Sequence, residues 1–184
     1  ADKDILECIK SGKLVIKPFE KAQVQPAGYD LRLHTNFRVC RSDLTTHIDV
    51  KQEFDVTELV KVKPGGAFVI HPGQFVLAAT YEYIGLPNDL VGILEGRSSL
   101  GRLGLIVHAT ASLINPGTTG HLTFEMSNIS NLPIKLYAGM RVAQLGLVKM
   151  TRPAAMMYGH KNLKSKYQNQ EPPTGSKIWK DFEK

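Results

Sequence analysis

The sequence predicts an all-β barrel or jelly roll, and three observations carry that prediction. Short apolar or alternating runs recur at regular spacing through the 184 residues. Turn chemistry separates them, as in Gln25-Pro-Ala-Gly28, His71-Pro-Gly-Gln74 and Leu86-Pro-Asn-Asp89. Helical periodicity is confined to the first residues and to one short turn near Ser98. No internal repeat and no linker interrupts the pattern, so residues 1–184 read as one domain, long enough to bury a core.

Asp2 to Lys10 reads as a short helix with acids at its start and Ile5 and Ile9 on one face, ended by Gly12. Leu14-Val-Ile16 is a short strand. In Tyr29-Asp-Leu-Arg-Leu33 the residues Tyr29, Leu31 and Leu33 share one face and Asp30 and Arg32 the other. A strand is expected over 37–40, and 41–66 reads as polar and irregular. Ala67 to Ile70 and Phe75 to Thr80 read as strand, turn, strand, and Val91 to Leu94 as another. Pro133 to Leu136 and Arg141 to Val148 follow on either side of the turn at Tyr137-Ala-Gly139.

The chemistry-bearing residues concentrate between Glu95 and Ser127. Ser98 and Ser99 are expected to cap a helical turn. Ser98 and Arg102, four apart, share its outer face, and Leu100 and Leu103 point inward. Gly101 inside that turn costs about 1 kcal/mol against Ala, which makes sense where a ligand or a second backbone approaches. Gly104 stops the turn. A hydroxyl, free N–H groups and a guanidinium at a helix start suit an anion. Farther on, His121 to Asn128 alternates strictly, with Leu122, Phe124 and Met126 on one face and Thr123, Glu125 and Ser127 on the other. Glu125 is either a proton shuttle or an ordinary solvent-facing strand residue, and the strand alone favours the second.

Composition is that of an ordinary soluble globule. No apolar run approaches a membrane span, and Ala1-Asp-Lys-Asp does not resemble a signal peptide, which points to a cytoplasmic protein. Cys8 and Cys40 lack paired spacing and read as free thiols. The net charge of +6 is scattered rather than striped, and no nucleic-acid signature accompanies it. A small, highly negative ligand needs only a few local cations. The basic tail from Gly159 onward is either a frayed end or a lid; Lys166, Tyr167, Gln168 and Gln170 offer charge, stacking area and amides together.

The order RSSLGRLGL, HATA, INPGTTGHLTFE closely resembles the dCTP deaminases, a branch of the dUTPase superfamily. The resemblance extends from SGKLVIKPF, QPAGYDLRL and HPGQFVLAAT to Tyr158-Gly159 and Ser165-Lys-Tyr-Gln-Asn-Gln170, nearly the whole chain. It implies a distorted β-barrel assembled as a homotrimer with each active site shared between subunits, and residues 159–184 as a mobile lid over the nucleotide. It makes Glu125 the catalytic glutamate, Ser98 a hydroxyl that positions water and touches the base with the Ala111 carbonyl in support, and Arg102 the cation that orients the attacking water. Arg97, Ser99, Leu100 and Gly101 join Ser98 and Arg102 in meeting phosphates and base; Thr123 and Phe124 pass the pyrimidine edge; Gln144, Tyr158, Lys166 and Gln170 hold sugar and triphosphate. Mg²⁺ is expected on the triphosphate's own oxygens. The zinc signature H-x-E with P-C-x-x-C is missing and the six histidines show no ligand spacing, so no zinc site is expected. Feedback by dTTP through His108-Ala109-Thr110 is a further expectation from the resemblance.

The resemblance is closest to the branch with bifunctional enzymes, which carry dCTP to dUMP. An aspartate there usually occupies the place of Asn115, and asparagine is a poor base. The sequence therefore favours deamination of dCTP to dUTP and ammonia, with the dUMP-forming activity as the alternative. A pure dUTP diphosphatase fits less well because the Gly-rich C-terminal phosphate motif is missing. A non-catalytic nucleotide sensor is the remaining reading.

Overall fold

The computed structural model describes residues 1–43 and 45–183. The chain runs α1 (Asp2–Lys10), β1 (Val15–Lys17), β2 (Val24–Gln25), β3 (Gly28–Arg32), β4 (Asn36–Cys40), β5 (Thr57–Lys61), β6 (Ala67–Ile70), β7 (Phe75–Gly85) and β8 (Leu90–Gly96). It continues through α2 (Ser98–Gly101), β9 (Leu105–Ile106), β10 (Leu113–Ile114), β11 (Thr119–Asn128), β12 (Ile134–Tyr137) and β13 (Arg141–Lys149). One sheet has the order β5-β4-β7-β11-β9, with β1 also on β7; a second runs β10-β8-β13-β3-β2; β12 and β6 form a ribbon. All pairings between these strands are antiparallel, and among the described residues neither large sheet closes on itself. The result is a distorted, open jelly roll.

The core lies between the two large sheets. Phe124 and Met126 of β11, Val76 and Ala78 of β7, and Leu31, Val142 and Leu145 of the other sheet are fully buried. The alternation along β11 is as the sequence reads it: Leu122, Phe124 and Met126 are buried, while Thr123, Glu125 and Ser127 are half-buried. The β3 alternation holds as geometry, and both faces are covered: Asp30 is as buried as Tyr29 and Leu31. Burial pushes the Tyr29 phenol up, and its hydroxyl accepts the Glu20 N–H at 2.9 Å.

Both faces of β3 are covered because its polar residues have internal partners. Glu82 of β7, fully buried, accepts from Arg32 Nε at 2.7 Å, Arg32 N–H at 2.9 Å and Gln23 Nε2 at 3.2 Å. Arg32 also pairs with Glu20. This network and the Leu33–Thr80 bridge fasten the two large sheets together.

Three local expectations need correction. Residues 57–61 form β5 within the stretch read as irregular, because Thr57-Glu-Leu-Val-Lys61 is an exposed edge strand whose polarity hides its pairing with β4. The strands β6 and β7 flank the turn as expected, and they pair with β12 and β11, in different sheets. Neither Ser98 nor Ser99 caps α2; Arg97 is the N-cap residue and makes no side-chain cap. Leu100 is buried as expected, but Leu103 is 58% exposed, since α2 is one turn long and its inner face ends at Leu100.

Candidate functional site

Glu125 stands on β11 in cross-strand register with Leu77 of β7. It faces a cavity of about 620 Å³. The same cavity is lined by Ala111, Asn115, Thr123, Tyr158 and Gln170, so six of the residues singled out in the sequence share one enclosure. Thr110 Oγ1 donates to Glu125 Oε2 at a long 3.4 Å, which holds the carboxylate weakly and leaves it able to turn to a ligand. His108 lies in the cavity wall with both ring nitrogens buried and, among the described residues, without partners. Phe124, adjacent to Glu125, points to the opposite face and is core.

The tail from Tyr158 folds back over this cavity. The Asn169 N–H donates to the Thr119 carbonyl at 2.8 Å, and the Gln168 side chain accepts from Thr119 N–H at 3.1 Å and donates to the Gly117 carbonyl at 2.8 Å. Gln170 bridges to Gly120 as a parallel partner. A side chain at Gly120 would meet the Gln170 nitrogen at 2.9 Å, and its φ of +127° suits glycine, so this residue is what lets the tail approach. Tyr158 accepts the Tyr167 N–H at 3.1 Å, and Thr123 Oγ1 donates to Gln170 Oε1 at 3.3 Å. Lys166 pairs with Asp181 within the folded tail.

Beside the docked tail, the rings of His34 and His121 lie 5.8 Å apart. Burial, and secondarily the neighbouring His121, hold the His34 pKa below its ordinary 6.5. The unfolded chain therefore binds this proton more readily. The stability contributed by neutral His34 is complete above pH 6.5 and is lost as pH falls through the lowered value. His34→Gln is expected to flatten the decline in stability between about pH 7 and pH 5, read as denaturation midpoints at several pH values.

The remaining candidates form a second cluster. Arg97, Ser98, Ser99, Leu100, Gly101, Arg102 and Gln144 line no part of the Glu125 cavity. Arg97 follows β8, and Gln144 lies on β13 opposite Glu95 and Asp30. Asp30, 1% exposed, gathers this cluster: it accepts from Arg141 Nη1 at 3.0 Å and Gln144 Nε2 at 3.2 Å, with Arg97 Nε at 3.8 Å. Ser98, Ser99 and Arg102 are exposed on α2, and a side chain at Gly101 would meet nothing within 4 Å. This half presents cations, hydroxyls and an amide outward. Sequence reasoning missed Thr110 as the partner of Glu125, Asn169 as a tail anchor, and Asp30 as the organiser of Arg97 and Gln144. An acid within the otherwise apolar Gly28-Tyr-Asp-Leu31 was the available signal for Asp30, since buried acids are almost always paired.

The open, distorted jelly roll carrying these two clusters is the dUTPase-like architecture. The crystal structure of 2′-deoxycytidine 5′-triphosphate deaminase from Agrobacterium tumefaciens superposes with a TM-score of 0.63 at 26% identity, over 80% of this chain and 46% of that one, so this chain spans about half of that length. A mutant dUTPase from phage phi11 of S. aureus, 16% identical over 78% of this chain and 94% of its own, shares the fold with a TM-score of 0.50. The family model described as dCTP deaminase-like matches residues 1–150. The chain belongs to that family. Among curated relatives, the protein named "dCTP deaminase, dUMP-forming" of Corynebacterium kroppenstedtii is 54% identical over 99% of this chain and 98% of its own. Its namesake in Corynebacterium jeikeium is 52% identical over 100% and 98%.

These relatives overturn the expectation, argued from Asn115, that dUTP is the end product. Near full-length relatives at such identity bear the dUMP-forming name. The argument failed because it rested on the basicity of one side chain. Phosphoryl transfer depends mostly on positioning and charge neutralisation, and asparagine keeps the hydrogen bonding that positions a ligand.

Proposed function

We propose that the protein converts dCTP to dUMP, releasing ammonia and diphosphate. Family membership makes it an enzyme acting on dCTP. The observation that carries the reading is the Glu125 carboxylate facing a cavity, lined also by Asp49 and Asp55, whose other polar walls suit a nucleotide and over which the tail is folded.

In the first step a water held by Ser98 and the Ala111 carbonyl adds to cytosine C4. Glu125 takes its proton and delivers it to N3; it then moves the hydroxyl proton to the exocyclic amine as the C4–N bond breaks and ammonia leaves. Arg102 orients the water and offsets the charge that develops. Transfers of this kind are typically worth about 10²–10⁴ in rate. In the second step a water attacks the α-phosphorus and diphosphate departs, with Asn115 at the sugar. Arg97, Ser99, Leu100 and Gly101 meet phosphate and base. Thr123 and the Phe124 backbone read the pyrimidine edge, and Gln144, Tyr158, Lys166 and Gln170 hold sugar and triphosphate, Lys166 exchanging Asp181 for a phosphate. The side chains gathered on the triphosphate are cations, amides and a phenol, a donor set that fits Mg²⁺ carried on phosphate oxygens rather than in a carboxylate cage. The mutant dUTPase of phage phi11 coordinates a structural Mg(II) ion, so a protein of the same fold holds this metal.

A complete site on this reading needs the Glu125 cavity of one subunit and the α2 turn of another, within a cytoplasmic homotrimer. Among the described residues no helix is long and apolar enough to cross a membrane. The unpartnered ring of His108 supports a role for His108–Thr110 in feedback by dTTP. A time course of one dCTP digest with Mg²⁺ tests the proposal. Ammonia, diphosphate and dUMP are expected in equal amounts with no accumulated dUTP, and added dTTP should make the dCTP dependence sigmoidal. Accumulated dUTP without diphosphate would contradict the two-step reaction.

A further inference from the structure

Arg38 lies on β4, outside the residues given any role above. Its partner across the ladder is Leu77 of β7, and the partner of Leu77 on the other side is Glu125. Directly paired residues project from the same face, so Arg38, Leu77 and Glu125 form one cross-strand row. Two strand spacings separate its ends, about 10 Å.

The returning tail crosses this row. The Thr174 N–H donates to Thr123 Oγ1 on β11 at 3.4 Å, beside Glu125. On the far side, Arg38 Nε donates to the Pro173 carbonyl at 3.2 Å, and Asn36 Nδ2 donates to the Pro172 carbonyl at 3.1 Å. The same guanidinium continues into the wall of the cavity. Its Nη1 lies 3.0 Å from Asp55 Oδ2 and donates to Thr57 Oγ1 at 3.0 Å. Asp55 in turn accepts from the Thr57 N–H at 2.9 Å. Gly175 runs so close to the Asp55 carboxylate that a side-chain carbon there would lie 3.1 Å from it. The cavity is accordingly walled by Phe54, Asp55 and Val56 on one side and by Thr174, Gly175 and Trp179 on the other, and Arg38 joins the two sides.

We propose that Arg38 is the positioning residue that latches the tail and the 53–57 loop into one gate over Glu125. The fork geometry of arginine is what the role requires, because one planar group must serve a tail carbonyl, a carboxylate and a strand hydroxyl in different directions. Gln170, assigned to the nucleotide, is separated from Pro172 and Pro173 only by Glu171, so fixing those two prolines limits where its side chain can reach. The proposal rests on the dCTP-directed reading for its kinetic consequence but not for its structural one.

Steady-state kinetics and amide hydrogen exchange on the full chain test it. Arg38→Ala is expected to raise KM for dCTP about tenfold and to change kcat less than about twofold, as loss of a charge-assisted tie that acts on binding should. Exchange of amides in 171–178 should accelerate about tenfold, with exchange in 58–61 of β5 and in β7 unchanged. Arg38→Lys keeps a charge opposite Asp55 without the fork and should leave the tail as fast as in Arg38→Ala. Unchanged tail exchange would overturn the latch, and so would an acceleration spread equally through β5, which marks general loosening. Should Arg38→Ala fail to fold, Asn36→Ala removes one neutral tie to Pro172, and about a threefold change in the same directions is expected; no change overturns the proposal. If the wild-type chain leaves dCTP untouched, the functional reading falls, while exchange without nucleotide still decides the latch.

Discussion

Glu125→Gln is expected to lower kcat for ammonia release from dCTP by about 10³, with the affinity for dCTP altered less than about threefold. The substitution keeps the side chain's length and its long contact with Thr110, and it removes the only function the reaction asks of it, carrying a proton. In the proposed mechanism every proton transfer at C4, N3 and the departing amine passes through this group, so the expected loss is compounded rather than shared among neighbours. Binding is expected to survive because the proposed mechanism assigns it to cations, amides and the tail. Single-turnover assays and equilibrium titration with dCTP separate the two quantities. A variant that binds dCTP and retains more than about a tenth of wild-type turnover would remove Glu125 from the chemistry.

The largest expected effect on stability lies away from the cavity. Glu82→Ala is expected to destabilise the fold by about 3–5 kcal/mol, because it strands a mostly buried guanidinium. Glu82 is fully buried and answers Arg32 through both a side-chain and a backbone hydrogen bond. Of its two carboxylate partners Arg32 would keep Glu20, which is half exposed and correspondingly screened. The network also spans β3 and β7, so its loss weakens the seam between the sheets that set Glu125 and Gln144 in place. Urea denaturation at neutral pH measures it, and a change below about 1 kcal/mol would mean that water replaces the carboxylate at the seam.

Much of this was legible in the chain because period-two alternation reports burial directly. His121 to Asn128 reads as a half-buried strand, and the structure gives it that burial residue by residue. The resemblance to dCTP deaminases, read from the ordered motifs, agrees with the family match. Where the reading failed, distant partners decided the outcome. β5 is polar because it is an edge, and only its pairing with β4 makes it a strand. Leu103 follows the helical pattern, but α2 ends before that pattern can bury it. The alternation put Asp30 on the face opposite Tyr29 and Leu31 but did not show its partners, because Arg141, Gln144 and Arg97 come from far along the chain to enclose it. The preference for dUTP came from one amide at position 115, and a single side chain is too small a basis for a statement about phosphoryl transfer.

The two clusters of one chain, Glu125 in its cavity and Ser98 with Arg102 on α2, act as complementary halves in the proposed reaction. Refolding an equal mixture of Glu125→Gln and Ser98→Ala chains puts that division to the most direct test. Each variant alone should be nearly inactive. In a randomly mixed trimer with heterologous contacts, one junction in four joins an intact Glu125 to an intact Ser98, so about a quarter of wild-type activity should return. A mixture no more active than its inactive components, with mixed trimers verified, would place the whole reactive centre within one chain and contradict the shared site.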